Sequence, residues 1–444
     1  MPPVSTLVAH RPLLFLSGLF GICVVVFLVT IPLPRADHLL IGSDGVLYYE
    51  YTRSLVLDGD LDFADEQQHF SRYPGVGPAP APTVTGRLPN RMPIGTGLVW
   101  IPFFVVAHGL DALFGSPHDG YGTLEQAAVC LGSMAYGFAG LLLTYRLCRE
   151  HADGLSSGLA VMLIWFGTNV IYYMVAEPSM SHMASLGAVS ALLAWWRLHQ
   201  PQTSAWHWLG MGALGGLAAL LRPQDGLFLI LPAMQWGHEG WDLLRRRHGG
   251  VLAHFGRGVL MGGAAVLAYA PQLWAWHILY GSIAHSGYAD THRFNWLHPR
   301  LVDVLFSLRH GFFTWHPMYL VGGFGLWWLA RHDRVYTVRL VLAVAVQVYV
   351  IAAWDMWWQG DAFGGRMLIA TAPIFALGVA QVIVRLRRRG WLLVTAAAAL
   401  LLWNLAFFIQ YRFGFIPMGQ PITWEQLVAD KLVLPWELWR RWRR

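Results

Sequence analysis

Apolar stretches long enough to cross a bilayer recur from one end of the chain to the other. The first, Leu13–Leu33, is longer than the core of a signal peptide and is followed by no small-residue cleavage site, so it reads as a retained span. Further runs lie near 124–146, 157–175, 180–197, 206–221, 224–237, 257–279, 312–330, 335–353, 367–384 and 391–409, which makes about eleven predicted spans. A twelfth candidate, Ile94–Phe114, carries Pro102, His108 and Asp111, which suits a re-entrant or surface-lying helix as well as a crossing. The pattern predicts an all-α integral membrane protein, a polytopic bundle of about 11–12 transmembrane helices.

Polar stretches between the runs are short, with one exception. Residues 35–123 are expected to form a long outer loop carrying surface-lying helices. Within it Asp44–Gly59 has helical spacing, Asp58, Asp60, Asp62, Asp65 and Glu66 follow, and Pro74–Pro82 is irregular by its proline and glycine content. Loops of this size are usually functional. After the last run, 410–444 is amphipathic and ends Trp436-Glu437-Leu438-Trp439-Arg440-Arg441-Trp442-Arg443-Arg444, the composition of an interfacial helix. The expected organisation is therefore a transmembrane domain over 1–409 and an amphipathic tail over 410–444.

Charge orients this bundle. Basic clusters at Arg146/Arg149, Arg197, Arg245–Arg247, Arg331/Arg334 and Arg385–Arg389 recur at intervals of two spans, and basic residues favour the cytoplasmic side. With a cytoplasmic N-terminus, the outer face then collects 35–123, the 172–182 turn, Arg222–Asp225, 280–311 and Trp354–Arg366. Only 13% of the 444 residues are charged, against about 25% in soluble domains. The net charge of +6 is almost all arginine, with Lys431 the one lysine. Because the arginines sit at the ends of apolar runs, they argue for membrane threading and against a nucleic-acid partner. Cys23, Cys130 and Cys148 lie in or beside apolar runs without C-x-x-C spacing, which speaks against a disulfide framework or a zinc site.

Against this background Asp44 stands out, an acidic residue just beyond the first span with Tyr48, Tyr49 and Tyr51 behind it. A carboxylate so near lipid is costly unless it works or is paired. It could act as a general base on a hydroxyl, or Ser43 or Asp44 could simply cap the helix that follows. Glu177 and His182, five residues apart across Pro178, leave a carboxylate–imidazole metal site open, but no H-x-x-x-H spacing supports one and hydrogen-bonded surface histidines are the plainer reading. Most of the 23 Trp suit membrane belts; Tyr48, Trp354, Trp357 and Trp358 lie in the distinctive loops, where aromatic faces can also stack on sugars.

The acidic residue after span one resembles the first outer loop of the GT-C superfamily of membrane glycosyltransferases. Four further stretches resemble bacterial members in matching order: Pro89-Asn90-Arg91-Met92-Pro93 with the apolar run to Phe104, Glu177-Pro178-Ser179-Met180-Ser181-His182, Leu221-Arg222-Pro223-Gln224-Asp225, and Trp357-Trp358-Gln359-Gly360-Asp361-Ala362-Phe363-Gly364-Gly365-Arg366. The relatives meant are protein mannosyltransferase-like and aminoarabinose transferase-like proteins, and the resemblance covers about residues 12–410. It implies a glycosyltransferase using a polyprenyl-phosphate-linked sugar donor, with Asp44 as catalytic base. Arg366, Arg222 and Arg91 would take the donor phosphate, with Arg87 and Arg309 as further candidates, since the guanidinium fork suits phosphate. Tyr48, Glu177, His182, Trp357 and Trp358 would contact sugar or acceptor. No nucleotide-binding signature is present, no cofactor is implied with certainty, and a divalent metal stays an option. Many relatives have two adjacent acids where this chain has Asp44-Gly45, so a second carboxylate would have to come from Glu50, Asp60 or Asp62. The location implied is a bacterial inner membrane, with the site on the outer, periplasmic face among membrane lipids. The alternative function is a transporter or flippase for lipid-linked sugars; the sugar and the acceptor are not legible.

Overall fold

Apolar residues that face lipid can only do so on a backbone whose own hydrogen bonds are closed, so the runs fold as helices. The computed structural model describes residues 11–31, 40–73, 79–114, 118–199, 204–246, 250–288, 290 and 292–443. Most of the basic lead before Arg11, residues 32–39, Pro74–Pro78 of the irregular stretch, Arg247 of one basic cluster and Arg444 lie outside the described residues.

The described chain is all-helical. α1 is Pro12–Thr30, and the first loop holds α2 (Asp44–Arg53), a π-turn Ser54–Asp58 and α3 (Ala64–Phe70). Then come α4 (Gly95–Phe114), α5 (Thr123–Arg149), α6 (Gly154–Phe166), α7 (Val170–Val175), α8 (His182–Leu198) and α9 (Ala205–Leu221). A 3-10 turn, Pro223–Leu229, leads into α10 (Ile230–Arg245), followed by α11 (Val251–Tyr280), α12 (Leu301–Phe306), α13 (Phe312–Trp315), α14 (Met318–Ala330) and α15 (Arg334–Ala353). The last part has a 3-10 turn Arg366–Thr371, α16 (Ala372–Leu386), α17 (Gly390–Arg412), α18 (Trp424–Leu427) and α19 (Ala429–Trp442).

Among the described residues, six stretches are long and apolar enough to cross a membrane: α1, α4, α5, α11, α15 and the continuous run Arg366–Arg412. Three shorter apolar helices, α6, α9 and α14, join them. The chain is a multi-pass membrane protein. The run expected at 157–175 is broken after Phe166 into α6 and α7. Residues 94–114, open between a re-entrant segment and a crossing, form the single helix α4, unbroken through Pro102. Its apolar side, Val105, Val106, Leu110 and Leu113, is exposed, whereas Asp111 is buried and His108 Nδ1 lies 3.1 Å from Oε1 of the buried Glu125 on α5. Apolar residues out and ionisable groups in is the order expected in lipid.

Contacts divide the chain into two units, one comprising Met1–Phe20, Leu141–Ala176 and Arg293–Arg444, the other Gly21–Gly140 and Glu177–His292. Each is knit by small residues. In the second unit Gly212 and Gly216 of α9, a G-x-x-x-G pair, bring that helix against the Met261 and Ala265 carbonyls of α11. In the first, Gly322 and Gly325 of α14 meet Phe375 and Gly378 of α16. Helices in lipid gain no hydrophobic drive from one another, so such close backbone approach carries their packing. Replacing Gly216 by Leu is therefore expected to cost about 1–3 kcal/mol through overpacking, read as a lower melting temperature of the solubilised protein. Gly262→Leu, where a Cβ has nothing within 4 Å, is the control and should melt like the parent.

Candidate functional site

The site is built on the N-terminal turn of α2. Ser43, at the N-cap, has φ 54° and ψ −134°, a conformation that side chains rarely adopt, and it makes no side-chain cap bond. Strain of this kind costs about 1–3 kcal/mol and persists where the surroundings impose it, often at functional sites. Asp44 is the first helical residue, where the positive end of the helix favours its carboxylate. Its Oδ1 lies 3.8 Å from Nη2 of Arg91, whose side chain is about half exposed while that of Asp44 is largely covered.

Gly45 follows because nothing larger fits. A Cβ there would stand 2.7 Å from Ser179 Oγ and 2.9 Å from Ser179 Cβ, so the 177–182 turn packs directly on the start of α2. The missing second acid thus has a steric reason: the position is occupied by the neighbouring turn.

One helical turn on from Asp44, Tyr48 is buried and donates its hydroxyl to Ser181 Oγ at 3.1 Å. Residues four apart share a helix face, so Asp44 and Tyr48 point the same way. Ser181 Oγ also accepts from Arg222 Nη1 at 2.9 Å. Arg222 is nearly buried, with Nε 3.8 Å from Asp225 Oδ2, and the same Oδ2 accepts from Ser185 on α8. Asp44, Arg91, Tyr48 and Arg222, spread over 178 positions of sequence (222 − 44), therefore lie in one unit, the last two joined through Ser181. His182, buried, begins α8, and Glu177, half-buried, opens the turn before it. Nothing in the sequence singles out Ser181 or Asp225, although both lie inside the motifs Glu177–His182 and Leu221–Asp225; their residue types carry no distinguishing signal.

Of the three candidates for a second acid, Glu50 is completely buried, while Asp60 accepts from Ser54 Oγ and from the Asp62 amide in the loop beyond α2.

The acidic run organises itself around Arg53. A single guanidinium nitrogen, Nη1, touches Asp58 Oδ2 at 2.8 Å, Asp65 Oδ2 at 2.6 Å and Glu66 Oε1 at 2.7 Å. Asp58, Asp65 and Glu66 form the one group of three ligand-type side chains close enough for a metal among the described residues. Arg53 already stands where a cation would, so the set does not fit a metal, and no step is assigned to one. One positive charge cannot balance three carboxylates, and burial pushes Glu66 up to about 8 from the usual 4.5. The folded protein then keeps a proton that the unfolded chain releases. Stability from Glu66 is complete below pH 4.5 and is lost as pH rises to about 8. The melting temperature is expected to fall across that window, and Glu66→Gln to flatten the fall.

The first unit holds Arg309, Trp357, Trp358 and Arg366. Trp357 and Trp358 pack edge to face, 5.9 Å apart at 86°, both half-buried. Arg309 lies over the Trp358 ring at 4.0 Å and donates Nε to the Gly419 carbonyl at 2.8 Å. His310 places Nδ1 and Nε2 each 2.7 Å from a carbonyl oxygen, those of Trp358 and Met418. Arg366, half-buried, starts its 3-10 turn after Gly364, whose φ of 68° and contact with the His316 ring both require glycine.

No protein-family model matches the chain, and no curated protein matches it in sequence. Among solved structures it is similar to ArnT from Cupriavidus metallidurans in the apo state, with a TM-score of 0.52 and 15% identity over 94% of this chain and 75% of that one. It is also similar to the same protein bound to undecaprenyl phosphate (TM-score 0.49, 16% identity, 94% and 75% covered). A third is the archaeal oligosaccharyltransferase AglB from Archaeoglobus fulgidus in complex with an inhibitory peptide and a dolichol-phosphate (0.48, 12%, 95% and 54%). The first of these likenesses shows the fold alone: the chain is folded like ArnT.

Proposed function

From that fold, we propose that the chain is a glycosyltransferase that moves a monosaccharide from a polyprenyl-phosphate donor to an acceptor hydroxyl. The observation that carries this reading is a carboxylate at the start of α2, paired with Arg91 and sharing its helix face with the Tyr48–Ser181–Arg222 chain. Asp44 takes the proton of the acceptor hydroxyl as its oxygen attacks the anomeric carbon. The bond from that carbon to the phosphate oxygen breaks, its electron pair leaves with the polyprenyl phosphate, and the anomeric centre inverts in the single displacement. Arg91 and Arg222 offer cationic forks to the departing phosphate, whose charge grows as the bond breaks. Arg366, Trp357 and Trp358, in the first unit, stand as candidates by themselves, each tested by its own substitution. Tyr48 orients sugar or acceptor beside the base, with Glu177 and His182 bordering it on the adjoining turn. The reaction takes place on the outer face of a bacterial inner membrane, with donor entering from the outer leaflet.

Purified protein incubated with radiolabelled polyprenyl-phosphate sugar and crude membrane acceptors is expected to transfer label. Folded protein that moves donor across vesicles without transferring label would instead establish the flippase. Single cysteines at positions 44, 177 and 360 should all react with an impermeant reagent from outside; a split result would undo the orientation.

A further inference from the structure

Resting on that reading, we propose that Asn90 and Glu50 are positioning residues which clip the 90–92 segment to α2 and so hold Arg91 opposite Asp44 for the donor phosphate.

The side chain of Asn90 is used at both ends. Its Oδ1 accepts from the Met92 amide at 3.0 Å, closing a turn around Arg91, and its Nδ2 donates to the Leu47 carbonyl at 2.7 Å and to Glu50 Oε2 at 3.0 Å. The backbone is gripped as well, since Tyr280 donates its hydroxyl to the Asn90 carbonyl at 3.0 Å. The amide cannot turn over without losing every one of its own bonds. Glu50 is completely buried, and its other oxygen, Oε1, accepts from Gln67 Nε2 on α3. Burial and the neighbouring Glu66 push the Glu50 carboxyl well up, while the Gln67 and Asn90 amides oppose that shift by donating to it. A buried acid is expensive, and a purely packing position would be filled as well by an apolar side chain. What this one does is fix two amides at right places: Gln67 from α3 and Asn90 beside Arg91.

Arg91 itself is half exposed and reaches Asp44 only across 3.8 Å, so its own ion pair does not hold it. Its placement comes from the residues on either side of it. A long arginine kept ready in this way loses less conformational entropy when it meets phosphate.

The test is binding of undecaprenyl phosphate to the purified full-length protein, measured for Asn90→Ala, Arg91→Ala and the double variant. Loss of one charge-assisted hydrogen bond is worth roughly tenfold or more in affinity. Both single variants are expected to weaken binding by about that factor, and the double variant to be no weaker than Arg91→Ala, because Asn90 acts through Arg91. Additive losses, unchanged binding in Asn90→Ala, or unchanged binding in Arg91→Ala would each overturn the proposal. The non-additivity separates positioning from general damage. Asn90→Asp should weaken binding as Asn90→Ala does, since it sets a carboxylate oxygen against the Leu47 carbonyl and Glu50 Oε2 in place of the donor. Parent-like binding by Asn90→Asp also overturns it. Asp44→Asn distinguishes the underlying reading: full label transfer by that variant removes the transferase assignment of the base, whatever Asn90 does to binding.

Discussion

Asp44→Asn is expected to keep the fold and to lower label transfer by about 10²–10⁴, the usual contribution of a general base. The substitution is nearly isosteric and sits at a helix start where asparagine is well tolerated. It leaves Gly45 free to pack on Ser179, and Tyr48 and Arg222 free to meet at Ser181. What it removes is the ability to take a proton. The measurements are the transfer rate and, alongside it, binding of undecaprenyl phosphate, which should stay within a few-fold of the parent because Arg91 and Arg222 remain. A variant that folds, binds and still transfers at the parent rate would falsify the assignment of Asp44. Gly45→Glu is no route to a second acid, since its side chain would run into the 177–182 turn.

Arg53→Ala is expected to be the most damaging single change in the first loop. Arg53 bridges Asp58, Asp65 and Glu66, donates Nε to the Asp119 carbonyl at 2.7 Å, and lies over the Tyr121 ring at 4.4 Å. Removing it takes the cation from the part-exposed Asp58 and Asp65 and the hydrogen-bond donor from the buried Glu66, which holds its proton at neutral pH, a loss of about 1–3 kcal/mol for the buried acceptor left unmet. Arg53 ends α2, so the consequence reaches the helix that carries Asp44. Melting should drop sharply at neutral pH. It should recover in part at low pH, where the carboxylates are protonated. Equal melting of Arg53→Ala and the parent across that pH range would sink this account.

Much of the architecture was legible because a bilayer imposes simple periodicities. A run such as 257–279 has one stable solution in lipid, and α11 is that solution. That a helix starts near Asp44 was legible too, because its spacing is local, and α2 realises it. Ile94–Phe114 was ambiguous for a physical reason. His108 and Asp111 look unfit for lipid in a one-dimensional string, and only the pairing of His108 with Glu125 and the burial of Asp111 show them turned inward. The acidic run was legible only as a run: that Asp58, Asp65 and Glu66 converge on Arg53 is decided by the packing of α2 and α3.

By itself the sequence determined that this is a helical membrane protein with a long polar first loop, since hydropathy and the cost of bare backbone in lipid are additive properties of a string. It also put forward Asp44, Arg91, Tyr48 and Arg222 together with Arg366, Glu177, His182, Trp357 and Trp358. Only the tertiary structure decided which of these meet. Ser181 joins Tyr48 to Arg222, Ser179 explains Gly45, and Asn90 with Glu50 holds Arg91, all through contacts between segments that are distant in sequence. Such contacts depend on where helices pack, and packing in lipid is set by small residues such as Gly212 and Gly216, whose partners no local pattern names.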